Sequence, residues 1–255
     1  MTYAQFHVLF VLPPVLLLAT GVGRSAQVLG RRAGLALLAV PMIALVYTTP
    51  WDAYLIGRGV WSYGPDRVLG ALWGVPFEEI AFFVLQPVLT GMVFFRFLGR
   101  LLTVEPAPRL ERPARTVRLA GVLVALVWLL LGLALLQREE GTYLGLILVW
   151  AVPVLGALWA YRGDLIWRWK AAVLPGVAVP TLWFWVADRI ALRDGVWRIS
   201  ERFTLGWNPL DLPVEEATFF LVTNLLVVFG LVLFLEPGLR GGNSDTLPQP
   251  VQDES

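Results

Sequence analysis

The 255-residue chain has no cysteine, a single histidine and few charges, and each shortage removes a class of chemistry. Without cysteine there are no disulfides, thiolate metal sites or sulfur nucleophiles. The one histidine, His7, lies beside the first apolar run and reads as a residue of the membrane interface. Proton chemistry therefore falls to carboxylates. Twenty basic and nineteen acidic residues leave a net charge of +1, with no basic excess to hold nucleic acid. No Gly-x-Gly-x-x-Gly unit, phosphate cradle or Asp-x-x-x-Asp motif is present, so no cofactor and no metal are expected. The first segment lacks a basic n-region and a small-residue cleavage site, and reads as a retained span and not a signal peptide.

What remains is apolar. Hydrophobic residues make up 57% of the chain and charged ones 15%, against about 25% charged in soluble domains. The bilayer is the solvent for such a composition. Apolar runs cover roughly 4–22, 33–50, 75–98, 117–136, 143–160, 171–187 and 213–235, each near the ~20 residues that a helix needs to cross. Continuous runs of this kind fit only helices, because every backbone polar group must be satisfied within the segment. The fold class is all-α, a polytopic membrane bundle of about seven helices. The connections alternate in basic content, thirteen Arg and Lys on one side against seven on the other. The positive-inside rule then puts the amino terminus outside a multi-pass cell-membrane protein and the carboxyl terminus in the cytoplasm. Prolines within the spans, such as Pro41, Pro153 and Pro180, read as kinks. The tail over 236–255 is polar and rich in Pro and Gly, and is expected to be disordered.

The chain is also doubled. "DAYLIGRGVW" (Asp52–Trp61) aligns with "DRIALRDGVW" (Asp188–Trp197). Pro76-Phe-Glu78-Glu79 follows the first, Pro213-Val-Glu215-Glu216 the second, and Phe82-Phe83 matches Phe219-Phe220. "PPVLL" at Pro13 resembles "VPVLG" at Val152 more weakly. Spans one to three thus echo spans five to seven. The expected organisation is a first three-helix repeat over 1–100, a basic loop and connector helix over 101–142, and a second repeat over 143–235. An offset of four spans makes the repeats parallel, related by an axis along the membrane normal. That places Glu78, Glu79, Glu215 and Glu216 at one membrane face, where they are expected to line a shared cavity.

Proline before a helix and glutamate in its first turn also have a purely structural use, since both suit the positive end of the helix dipole. Three features favour chemistry for the doubled motif. Dipole compensation needs no pair of like charges, which perturb each other's protonation. Ionisable groups inside a membrane are functional candidates by default. The same helix faces carry Phe82, Phe83 and Gln86, then Phe219, Phe220 and Thr223, one to two turns further on. The preceding loops are rich in aromatics (Trp51, Tyr54, Trp61, Tyr63 and Trp73; Trp183, Trp185, Trp197 and Trp207). An interfacial belt accounts for most of these, while some can line a pocket whose ring faces stabilise a cation. Asp52 and Asp188 occupy matched loop positions and read as structural, like Pro76 and Pro213.

At these residues the chain resembles the integral membrane lycopene cyclases. In that family the halves occur as two subunits in some actinobacteria, and fused in archaea, other bacteria and the bifunctional fungal enzymes. "YAQFHVLFVLPPVLLL" and "FFLVTNLLVVFG" also look like the family, and the resemblance spans residues 3–235. It implies an isomerase that closes the ψ ends of lycopene into ionone rings, giving γ- or β-carotene, with lycopene taken from the bilayer and other carotenoid enzymes as candidate partners. Carried over, the essential acidic motif falls on Pro76, Glu78 and Glu79, and on Pro213, Glu215 and Glu216; beside it, Phe82, Phe83, Gln86, Phe219, Phe220, Asn224, Trp61 and Trp197 are expected against the substrate. The polyprenyl-transferase half of the fungal fusions has no counterpart, so phytoene synthesis is not expected. The motif leaves open which glutamate donates the proton, how many ends are closed, ring type and substrate length. A proton-coupled transporter and a non-catalytic membrane scaffold are the alternatives. Carboxylates at span ends rather than at broken helices speak against the transporter.

Overall fold

A computed structural model describes residues 1–104 and 113–236. The basic connection before the fourth span and the polar tail fall mostly outside them. Among the described residues, seven helices are long and apolar enough to cross a membrane. These are α1 (Tyr3–Thr20, helical on to Leu29), α2 (Arg31–Gly57), α3 (Phe77–Val104), α4 (Ala114–Leu135), α5 (Thr142–Arg168), α6 (Lys170–Arg193) and α7 (Val214–Phe234). Between them, among the described residues, lie four short strands: β1 (Trp61–Tyr63), β2 (Ala71–Leu72), β3 (Val75–Pro76) and β4 (Trp197–Ile199).

Burial separates the centre from the edge. In α3, 56% of the apolar span is buried, and in α4 only 11%. α4 turns Leu123, Val127 and Leu130 outward and touches the bundle mainly along α5, as expected of a connector. α3 and α7 form the middle, each flanked by the helices of both halves. Pro41, Pro87, Pro153, Pro175 and Pro180 sit inside helices that continue past them, as lipid-embedded helices allow.

The repeat is visible in the strand pairing. β1 and β4 are antiparallel, with Ser62 opposite Arg198, Trp61 opposite Ile199 and Tyr63 opposite Trp197. In the sequence alignment Ser62 is the counterpart of Arg198, and each flanking residue pairs with the other's counterpart. A twofold relation between the halves produces this register. The strands β2 and β3 close through Trp73 and Gly74, both at positive φ. Two such residues are what the twist of a tight hairpin requires.

The halves differ by one residue in the first helix of each repeat. Tyr3 to Pro14 spans eleven steps and Tyr143 to Pro153 ten. The extra residue is absorbed in a π-helical turn, His7–Val11, whose wider ring takes one more residue per turn. That turn carries His7 inward. The interfacial expectation for His7 is thereby corrected: it is buried, its Nδ1 lies 3.1 Å from the Tyr3 carbonyl, and its ring meets Phe82 edge-on.

Two further corrections concern element ends. α2 and α6 run beyond the apolar stretches, to Gly57 and Arg193. Trp51, Asp52, Tyr54 and Asp188 are therefore helical and not in loops, and Trp183 and Trp185, inside the 171–187 run itself, are helical too. Hydropathy falls at the first polar side chain, whereas the helix persists as long as its backbone bonds are made.

At the end of the bundle away from the strands, Arg118 Nε donates to Asp164 Oδ1 at 2.6 Å, and Arg162 pairs with both Asp164 and Glu236. This network ties α4, α5 and the end of α7 together.

Candidate active site

Glu78 and Glu79 begin α3, and Glu215 and Glu216 begin α7. Neighbours on a helix point about 100° apart, so the two acids of a pair cannot face one point. The structure divides them accordingly. Glu79 and Glu216 line a cavity between the repeats. Glu78 and Glu215 are also buried, but each turns back to its own loop. Leu69 N–H donates to Glu78 Oε1 at 2.9 Å, and Leu205 N–H donates to Glu215 Oε1 at 2.8 Å. The expectation of four glutamates around one chamber is corrected to two.

Two aspartates take the places of the missing pair. Asp52 of α2 and Asp188 of α6 line the same cavity, both almost fully buried. Trp197 Nε1 donates to Asp188 Oδ1 at 2.9 Å, and Oδ2 of each aspartate has no hydrogen-bond partner. Reading them as scaffold rested on a loop position that they do not occupy. Their helices bring them to the cavity, and each repeat contributes one aspartate and one glutamate.

Phenols complete the arrangement. Tyr3 and Tyr63 both donate to Glu79 Oε2, at 2.7 and 3.0 Å, and Tyr143 donates to Glu216 Oε1 at 2.6 Å. Tyr3 and Tyr143 hold matched places in α1 and α5. The third phenol has no mate, because Ile199 stands where Tyr63 does in the first half. Tyr63 lies outside the spans; burial, then the Glu79 carboxylate, hold its phenol well above the usual range, so it stays a donor. Sequence reading missed Tyr3 and Tyr143. The signal was there: "TY" at Thr2–Tyr3 recurs at Thr142–Tyr143.

The remaining walls are rings and the Ile199 side chain. Phe6, Trp61, Phe82, Trp197, Phe219 and Phe220 face the cavity, whose volume is about 50 Å³, and Phe82 meets Phe220 edge-on at 6.3 Å between centroids. Of the other residues expected at the substrate, Phe83 and Gln86 face a neighbouring groove. Asn224 faces neither. It is fully buried, accepts from Gln86 Nε2 and Thr90 Oγ1 at 2.6 Å each, and donates to Thr181. An amide so completely satisfied locks α3, α6 and α7 together. Pro76 closes β3 and Pro213 caps α7, each one residue before its helix. Among the described residues no group of His, Asp and Glu has the disposition of a metal site.

The lycopene cyclase family model matches residues 1–98 and 140–234. A lycopene beta-cyclase of Halobacterium salinarum is 42% identical over 234 residues, which cover 91% of this chain and 95% of that one. The chain belongs to the lycopene cyclase family. A bifunctional lycopene cyclase/phytoene synthase of Neurospora crassa is 40% identical over 243 residues, 91% of this chain but 39% of that protein. One from Phaeosphaeria nodorum is 38% identical over a similar share. No solved structure matches the chain. The lycopene cyclase match omits residues 99–139, the stretch that holds the peripheral connector α4.

Proposed function

We propose that this member of the family closes the ψ ends of lycopene into β-ionone rings by acid–base isomerisation in the cavity between its two repeats. The observation that carries the reading is that Asp52, Glu79, Asp188 and Glu216 meet in one aromatic chamber. Four carboxyls around so small a space cannot all carry charge, so protons are shared among them. Ring closure needs one protonated acid, one ionised base and a site without bulk water. A carboxylic acid protonates the terminal double bond and leaves a tertiary cation. The next double bond attacks it, forming the ring bond, and a carboxylate removes a proton from the adjacent ring carbon. The proton balance is zero and nothing is consumed.

The two half-sites are unequal, and the inequality supports a division of roles. Glu79, with two phenol donors on one oxygen, is the carboxyl best equipped to hold negative charge and serves as base. Asp52 and Asp188 each keep an unpartnered buried oxygen at the same cavity, and Asp52, from the same repeat as Glu79, carries the proton. Facing ring surfaces and the remaining carboxyls stabilise the cation. Glu78 and Glu215 position the loops that cover the site. Residues 1–100 and 143–235 act as two parallel repeats. The cavity opens toward the outer face, with lycopene drawn from the bilayer.

Expression in lycopene-accumulating bacteria tests the reading. Chromatography should reveal products of unchanged mass and altered absorption spectrum. Untouched lycopene with correctly inserted protein would refute it and favour a scaffold.

A further inference from the structure

We propose that a lipid-facing groove between α2, α3, α5 and α7 receives the linear polyene chain of the substrate, and that it is the sole access, so one chain end is cyclised per binding event. The inference rests on the lycopene-cyclising reading above and adds where the rest of the molecule lies.

The groove encloses about 250 Å³ and shares Phe82 and Phe219 with the carboxylate cavity. The cavity alone has room for about three or four water molecules, so a ring-forming end reaches the acids by parting those two rings. Along α7 the groove extends from Phe219 to Gly230, about 16 Å at the helical rise. It is long, narrow and apolar, and Ile43 and Tyr47 at its rim are exposed. A flexible linear hydrocarbon fits that shape. A second groove of about 540 Å³ beside α4 is larger, but shares no residue with the cavity.

The twofold relation calls for a mate between α6 and α3, and side-chain size closes it. Where the groove has Thr48, the other half has Phe184, fully buried and stacked 5.4 Å from Phe220. Ala44 is matched by Pro180 and Gly230 by Val93. Val40 is matched by Gly176, where an added Cβ would stand 3.2 Å from the Phe94 backbone. On that side the helices meet; on the other, small residues leave a channel. A single channel admits one end, so a two-ring product requires the one-ring product to leave and return reversed.

The test transplants the closed side onto the open one. T48F and G230V copy Phe184 and Val93, and a Cβ at Gly230 meets Val40 only at 3.8 Å, so G230V carries the test if T48F does not fold. A125F fills the second groove as control. In the E79Q background, where turnover should be slower by about a hundredfold or more, purified protein should retain lycopene by absorbance. Retention should fall at least about tenfold in T48F or G230V and persist in A125F; with Glu79 restored, the apparent KM for lycopene should rise by a similar factor. Full retention in both groove variants, or loss in A125F alone, would overturn the proposal while wild-type turnover still upheld the cyclase reading. No turnover by wild type would instead sink that reading.

Discussion

Replacing Glu79 or Glu216 with Gln keeps the side chain's shape and removes its ability to exchange a proton. Each should lower the initial rate of ring formation by about a hundredfold or more, the range of a positioned acid or base. E78Q and E215Q should lose less than about tenfold, because an amide oxygen can still accept the loop N–H. Their effect belongs in the unfolding temperature. Equal losses across all four would mean that the division at the helix start is wrong. D52N should behave like E79Q, and Y63F should slow turnover while leaving the Glu216 half-site intact. The doubled motif made Glu79 and Glu216 legible from sequence alone. It could not separate them from Glu78 and Glu215, because adjacency in the chain hides a rotation of about 100° around the helix. Asp52 and Asp188 were visible as matched residues but misplaced, since their role depends on two helices running past their apolar stretches. His7 was misread for a similar reason: a one-residue insertion in α1 turns it inward.

Helices and loops set the distances on which those residues depend. Gly176 lets α6 lie against α3 at Phe94. Gly176→Val should therefore cost about 1–3 kcal/mol in stability through overpacking, seen as a lower unfolding temperature, and should slow cyclisation by spreading the repeats. On the site face, Arg193 and Arg189 donate to Asp211 Oδ2 at 2.5 and 2.9 Å, tying the end of α6 to the loop before α7. The hydrogen bond from Arg193, then that from Arg189, holds the Asp211 carboxyl below its usual range. Because the folded value is depressed, the clamp is fully present above the ordinary carboxylate value near pH ~4 and fades as pH falls through the depressed one. D211N should thus lower the unfolding temperature at pH 7 and make progressively less difference as the solution is acidified. A gap that widened toward acid would reverse the sign and refute the clamp. Seven spans were readable from hydropathy because lipid forces each one to satisfy its own backbone. The strand pair that joins the halves was not, because three-residue strands with no alternating face leave almost no pattern.

At the scale of the whole molecule, the site has a side. The turns after α2, α4 and α6 gather at one end of the bundle: β1 pairs with β4, and Arg202 Nε donates to Glu139 at 2.6 Å. Tyr3 N–H donates to the Arg67 carbonyl at 2.8 Å, which brings the start of α1 to the same end. The poorer basic count lies there, seven against thirteen, so the carboxylate cavity should open toward the outer face. The absence of cysteine makes this directly measurable, since a single introduced thiol is the only one in the chain. S62C and E140C should be modified by a membrane-impermeant maleimide in intact cells, and R31C only after lysis. The opposite pattern would invert the molecule and place its proton exchange on the cytoplasmic side. Orientation then bears on catalysis, because the carboxyls are closest to the aqueous phase whose pH the site follows. With outward topology, the rate in intact cells should track external pH while the cytoplasm stays buffered, and in inverted vesicles it should track the pH inside.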